Sequence, residues 1–137
     1  ILDPQLTKDV LNEIFENLKK LDEIKKTFYL SKKEIEYMSR KGMEFGFHGH
    51  SHRPFSKISR EDLKQEFKNS EDLFLEIIGC TPKSLSYPFG DYSSVTNSQI
   101  EQISSFGIKF AFLAENHKYL QPMKIPRLDC NSWSSNK

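Results

Sequence analysis

Three helical segments of this chain close on glycine, and a short apolar run follows each. "SKKEIEYMSRKG" ends at Gly42 and leads into "MEFGF". "SREDLKQEFKNSEDLFLEIIG" ends at Gly79, and "SLSY" follows a few residues later. "SVTNSQIEQISSFG" ends at Gly107 and leads into "IKFAFL". Glycine stops a helix because it enters the left-handed conformation without a Cβ penalty. The runs that follow are too short for helices and read as buried strands. Strands that alternate with helices pair in parallel, through crossovers, so the pattern predicts βαβ units and an α/β fold. Local signals mark the helix starts. Ser31 and Glu34 form a capping box, and Ser59 caps the next helix, whose Leu63, Phe67, Phe74, Ile77 and Ile78 are expected to face inward. "MKIPRLD" reads as one more strand. The chain opens on a further helix, "DPQLTKDVLNEIFENLKKL". Asp3 is its candidate N-cap and Pro4 fits its first position. Leu6, Val10, Leu11, Ile14, Phe15, Leu18 and Leu21 form one apolar stripe. An α/β domain usually starts on a buried strand, so that strand is expected elsewhere or cut off.

The 137 residues suit one domain, 1–137, with no internal repeat or linker. Lysine and arginine number 20 against 19 acidic residues, a formal net charge of +1. That balance argues against nucleic-acid binding, which needs a basic stripe. No apolar run approaches the roughly 18–20 residues of a membrane span. No signal peptide is visible, although the chain begins at Ile1 rather than Met. Cys80 and Cys130 lack metal-type spacing and read as two buried thiols, which favours a reducing, cytoplasmic compartment.

Chemistry concentrates in "EFGFHGHSHRPFS", Glu44 to Ser56, where His48, His50 and His52 fall at every second position. They follow a strand and precede a helix, and the C-terminal ends of strands are where barrel-like α/β folds build active sites. If the backbone curls after "EFGF", the rings of His48 and His52 face one point and His50 points away. If it stays extended, all three rings share a face. Two imidazoles at such spacing suit a zinc-like ion, which in a catalytic site takes about three protein ligands and keeps one position open. Gly46 and Gly49 let the backbone bend close, and Pro54 stiffens the exit.

The second cluster is "SLSYPFGDYSS", Ser84 to Ser94. Pro88 rigidifies a turn, Gly90 permits an unusual dihedral, and Tyr87 and Phe89 offer flat surfaces. Such a loop can floor a sugar site and aim a backbone N–H at a developing oxyanion. The same residues also fit a plain turn with core aromatics.

Together the two motifs resemble the polysaccharide deacetylases of the NodB-homology type, carbohydrate esterase family 4. "MEFGFHGHSH" is similar to the family's His-(Ser/Thr)-x-x-His motif after a strand, and "SYPFGDYS" to its Tyr-Pro-Tyr-Gly loop. The intervening helix fits too, and the likeness runs from about Leu30 to Asp129. The resemblance implies a portion of a distorted (β/α) barrel of the NodB/glycoside hydrolase-deacetylase type. It implies a hydrolase that removes an N-acetyl or other N-acyl group from a sugar or polysaccharide. A divalent metal, usually zinc, would be held by one aspartate and two histidines, with a second aspartate as general base. His48 and His52 match the histidine ligands. The N–H of Phe89 matches the oxyanion donor, and Tyr87, Pro88, Phe89 and Gly90 would line the groove for a carbohydrate substrate.

Four departures qualify that expectation. No Asp-Asp pair occurs, and Asp3, Asp9 and Asp22 lie in helical contexts, so the chain is expected to be a C-terminal portion of a longer domain or a degenerate relative. Gly49 replaces the hydroxyl residue after the first histidine, which removes a loop-ordering hydrogen bond. Ser86 stands where another form of the loop has arginine, and Arg127 in "IPRLD" is the candidate to supply that cation. The late Leu-x-His motif is not evident, and His117 in "ENHKY" is left without a role. Two other readings compete. One is an amidohydrolase-like metal hydrolase. The other is a non-catalytic, deacetylase-like scaffold that binds glycan or protein through the Tyr87–Tyr92 loop.

Overall fold

The computed structural model describes residues 3–16, 24, 26, 28–115 and 121–127. Helix α1 spans Pro4–Glu16, α2 Lys32–Arg40 and α3 Arg60–Ile78. Strand β1 (Ser84–Ser86) follows, then α4 (Asn97–Ser105), β2 (Phe110–Leu113) and β3 (Ile125–Pro126). From α3 onward their order matches the alternation of helix and strand expected from the sequence.

The helix boundaries follow from local hydrogen bonding. Asp3 Oδ1 accepts the Gln5 N–H at 2.7 Å, so it caps α1. The Ser31 and Glu34 side chains cap each other's backbone at the start of α2. Ser59 Oγ accepts the Asp62 N–H at 3.0 Å, and Gly79, at φ +71°, closes α3 with an N–H to the Leu75 carbonyl. Helix α4 begins later than its apolar pattern implies, because Thr96 and Gln99 form a second capping box.

The strands form one parallel sheet in the order β1-β2-β3. Ser84 pairs with Phe110 and Ser86 with Phe112, while Phe112 pairs with Ile125. The "MEFGF" segment is less regular than expected. Only Phe47 joins the sheet, by a single parallel bridge to Leu85. Its N–H donates to the Ser84 carbonyl at 2.9 Å, and its own carbonyl accepts the Ser86 N–H at 2.8 Å. Gly46 lies so close to Ser84 that an added Cβ would stand 2.8 Å from Ser84 Oγ.

The core sits between this sheet and α3 and α4. Phe47, Phe55, Leu63, Phe67, Leu85, Ile103 and Leu113 are buried there. The ring of Phe67 meets those of Phe47 at 5.2 Å and Phe106 at 4.9 Å, and Phe74 meets Phe47 edge-on at 5.1 Å. Ring pairs in such offset and edge arrangements stabilise by about 0.5–1.5 kcal/mol beyond the area they bury. The buried amide of Gln99 donates to the carbonyl of Phe55, which ties α4 to the turn after the histidine segment.

The apolar stripe of α1 lies outside this core: Leu6, Val10, Leu11, Ile14 and Phe15 are all exposed. Periodicity defines an apolar face and not the surface that covers it. Cys80 is an exposed free thiol rather than a buried one, because it follows the helix-closing glycine and lies outside the packed layer. Leu18, Leu21, Asp22, His117, Leu128, Asp129 and Cys130 lie outside the described residues.

The division between core and exposed face is measurable. Leu85→Ala or Ile103→Ala is expected to cost about 2–5 kcal/mol of unfolding free energy. Leu11→Ala is expected to change it by no more than about 0.5 kcal/mol. Urea titration of the 137-residue chain checks both, and a large loss from Leu11→Ala would mean that α1 packs against the core after all.

Candidate functional site

In a parallel sheet every strand ends at the same edge. Here that edge carries His48 after Phe47, the Tyr87–Gly90 loop after β1, Ala114 after β2 and Arg127 after β3. Residues that are far apart in sequence are therefore brought into one row.

The backbone curls after Phe47. Gly49 has φ +76° and His52 φ +56°. The second value is uncommon for a residue with a side chain. The curl brings the rings of His48 and His52 to 4.8 Å between centroids and their Nε2 atoms to 3.1 Å. His48 Nδ1 lies 2.7 Å from the Ser86 carbonyl oxygen. A carbonyl only accepts, so this nitrogen carries the proton and His48 Nε2 keeps its lone pair. His52 Nε2–H then donates to it. His50 takes no part in the pairing, and its side chain is exposed.

Two nitrogens bound to one tetrahedral zinc, each at about 2.0–2.1 Å, would lie roughly 3.3–3.4 Å apart. The observed 3.1 Å is close to that separation. Among the described residues no group of three or more His, Cys, Asp or Glu side chains converges. Among the described residues the imidazole pair thus stands without a carboxylate beside it.

The loop after β1 divides by depth. Tyr87 is fully buried, and its hydroxyl donates to the Met123 carbonyl at 3.0 Å. Burial pushes the Tyr87 phenol above its ordinary value. Tyr87 and Pro88 are both fully buried and support the loop from beneath. Phe89 is 61% exposed, at φ +65°, with its ring 5.1 Å from that of His52. Gly90, at φ +74°, has no room for a side chain: a Cβ there would stand 2.8 Å from Ala114 N and 3.1 Å from Arg127 Nη2. The Arg127 guanidinium therefore reaches this loop from the end of β3. On the other side of His48 an apolar cleft of about 380 Å³ opens between Ile35, Phe45, Phe74 and Ile77.

Glu66 is the residue that sequence reasoning missed. It projects from the buried face of α3 and is 5% exposed. Its carboxylate accepts the N–H groups of His50 and Ser51 at 2.7 and 2.8 Å and the Ser51 hydroxyl at 2.5 Å. Arg53 Nη2 stands 3.4 Å away. A signal was present, because Glu66 falls at helical spacing among Leu63, Phe67 and Ser70 on the inward face.

A parallel sheet with an imidazole pair after one strand and a proline–glycine loop after the next defines an α/β domain of the deacetylase-barrel type. The chain belongs to the polysaccharide deacetylase family, whose model matches residues 4–111. Solved structures agree on the fold. A polysaccharide deacetylase from Bacillus cereus superposes with a TM-score of 0.62 at 22% identity, over 72% of this chain and 32% of that one. IcaB from Ammonifex degensii gives 0.63 at 19% identity, over 75% and 49%. The Streptococcus pyogenes deacetylase PplD, in complex with acetate, gives 0.60 at 20% identity, over 72% and 44%. The chain thus spans a third to a half of the length of these structures. Among curated proteins none matches it. The fold is a portion of the deacetylase barrel.

Glu66 makes stability depend on pH. Burial pushes its carboxyl up, but the hydrogen bonds from Ser51, His50 and Arg53 outweigh burial and hold it below its ordinary 4.5. A carboxylate depressed on folding stabilises fully above its unfolded value, and the contribution is lost as pH falls through the lower folded value. The stability gap between the parent chain and Glu66→Gln is therefore expected to be constant from pH 7 to about 5 and to close below 4.5. Urea titrations across that range check it, and a gap that persists to pH 2 would contradict it.

Proposed function

We propose that this chain carries two metal-ligand histidines and the substrate loop of a metal-dependent carbohydrate N-deacetylase. Its reaction is hydrolysis of an N-acetyl, or other N-acyl, group on an amino sugar or polysaccharide. The observation that carries this reading is the convergence of His48 and His52 Nε2 at the C-terminal edge of the sheet, with His48 fixed by the Ser86 carbonyl. Membership in the polysaccharide deacetylase family supports it.

A divalent ion such as zinc, bound between these imidazoles, would polarise the acyl carbonyl and activate water for attack. His48 offers a lone pair at Nε2 because its other nitrogen donates to Ser86. His52 offers the second by moving its proton to Nδ1. The Phe89 N–H is the assigned donor to the developing oxyanion. The exposed Phe89 ring, already against His52, gives a sugar ring a flat surface to rest on. Arg127, beside Gly90, adds positive charge near the same point. The carboxylate ligand and general base that the family resemblance implies are not among the residues gathered here.

Zinc affinity tests the ligand assignment. His48→Ala and His52→Ala are expected to lower it at least tenfold, and His50→Ala to leave it unchanged; equal losses at all three positions would sink the assignment. Acetate release from N-acetylated oligosaccharides, measured on the product of the complete gene, should follow the same order. Arg127→Ala is expected to lower kcat/KM by about tenfold or more with little change in Tm. An unchanged kcat/KM would remove Arg127 from the site.

One observation favours a second reading, a glycan-binding scaffold without catalysis. Phe89 and Tyr92 present two exposed aromatic rings on one loop. Oligosaccharide binding that ignores both zinc and the histidine variants would support that scaffold.

A further inference from the structure

Between His48 and His52 the chain has no regular secondary structure, yet it holds two residues at positive φ, one of them His52 itself. Such a conformation persists only where the surroundings over-determine it. The polar contacts that hold this turn centre on one side chain. The N–H groups of His50 and Ser51 both point inward and end on a single oxygen, Glu66 Oε2, at 2.7 and 2.8 Å. The other oxygen takes the Ser51 hydroxyl at 2.5 Å and faces Arg53 at 3.4 Å. Arg53 also braces Ser51, donating from Nε to its hydroxyl at 3.0 Å. Successive backbone N–H groups that converge on an anion form a nest. In this nest the anion belongs to the protein. Nothing in core packing calls for a carboxylate between Leu63 and Phe67, where an apolar side chain of similar volume would bury more easily.

We propose that Glu66 is the positioning residue of the histidine pair. Its buried carboxylate fixes the Gly49–His52 turn through the His50 and Ser51 N–H groups, and that turn sets His52 Nε2 against His48 Nε2. Glu66 touches neither imidazole of the pair. The role rests on the reading of His48 and His52 as metal ligands only for its consequence, a pre-formed pair of donors. Groups that orient metal ligands are typically worth about 10–100-fold in metal affinity.

The test uses the full 137-residue chain and two readouts: the nuclear Overhauser effect between the His48 and His52 rings, and zinc affinity by competition with a chelating dye. Glu66→Leu keeps volume and removes the acceptor. Glu66→Asp keeps the charge but draws it back from the loop by one methylene. Glu66→Gln keeps one acceptor oxygen in place. The expected result is loss of the ring–ring effect and a 10–100-fold weaker zinc affinity in Glu66→Leu, the same in lesser degree in Glu66→Asp, and near-parent behaviour in Glu66→Gln. The amide spectrum of the sheet and helices stays native throughout. A ring–ring effect that survives in a folded Glu66→Leu overturns the proposal. If Glu66→Leu does not fold, an unchanged Glu66→Asp overturns it instead. Loss of the ring–ring effect in a chain that never bound zinc at these histidines supports the positioning role and refutes the metal reading, so the two fail separately.

Discussion

Two backbone hydrogen bonds attach the histidine segment to the sheet. Phe47 donates to Ser84 and accepts from Ser86, and through them the segment runs parallel to β1. Parallel pairing is what makes the site possible. It points every strand the same way, so His48, the Tyr87–Gly90 loop and Arg127 emerge along one edge. The same pairing places the Ser86 carbonyl where the next ring can reach it, and that contact selects the tautomer of His48. A single register thus sets both the position of the imidazole and which of its nitrogens is free. A slip of one residue would turn Phe47 out of the core and His48 into it.

What could be read from the sequence was local or periodic. Ser31 with Glu34, Ser59 and the glycine stops act within a few residues of the backbone they cap, so their chemistry is complete in a short window. The paired imidazoles could be expected at a spacing of four, but the choice between a curled and an extended backbone rested on a partner elsewhere. What escaped depended on three-dimensional neighbours. The stripe of α1 looks like the stripe of α3, yet one is exposed and the other buried. Tyr87 and Phe89 look equally suited to a sugar surface, but their depths differ because the Tyr87 hydroxyl finds the Met123 carbonyl inside. Glu66 is ordinary by composition, and only its place on the inward face of α3 marks it. Its partners lie 13 to 16 residues away, and two of the four are backbone N–H groups, which carry no residue-type signature.

Gly49 joins these observations. In the family resemblance this position carries a hydroxyl that orders the loop, and glycine removes it. A side chain here would meet Pro88 at 3.1 Å and the Phe55 ring at 3.3 Å, and the φ of +76° would strain any other residue. Glycine lets the histidine loop settle directly on the proline of the second loop, which brings the two motifs into contact. With no side chain at 49, the loop draws much of its order from a neighbouring element. Helix α3 passes beneath, and Glu66 is the residue on it that faces the turn, 3.6 Å from where a Cβ at position 49 would stand. Close approach of the two loops and a buried carboxylate under one of them are therefore a single solution. The first removes an internal hydrogen bond, and the second supplies its replacement from the core.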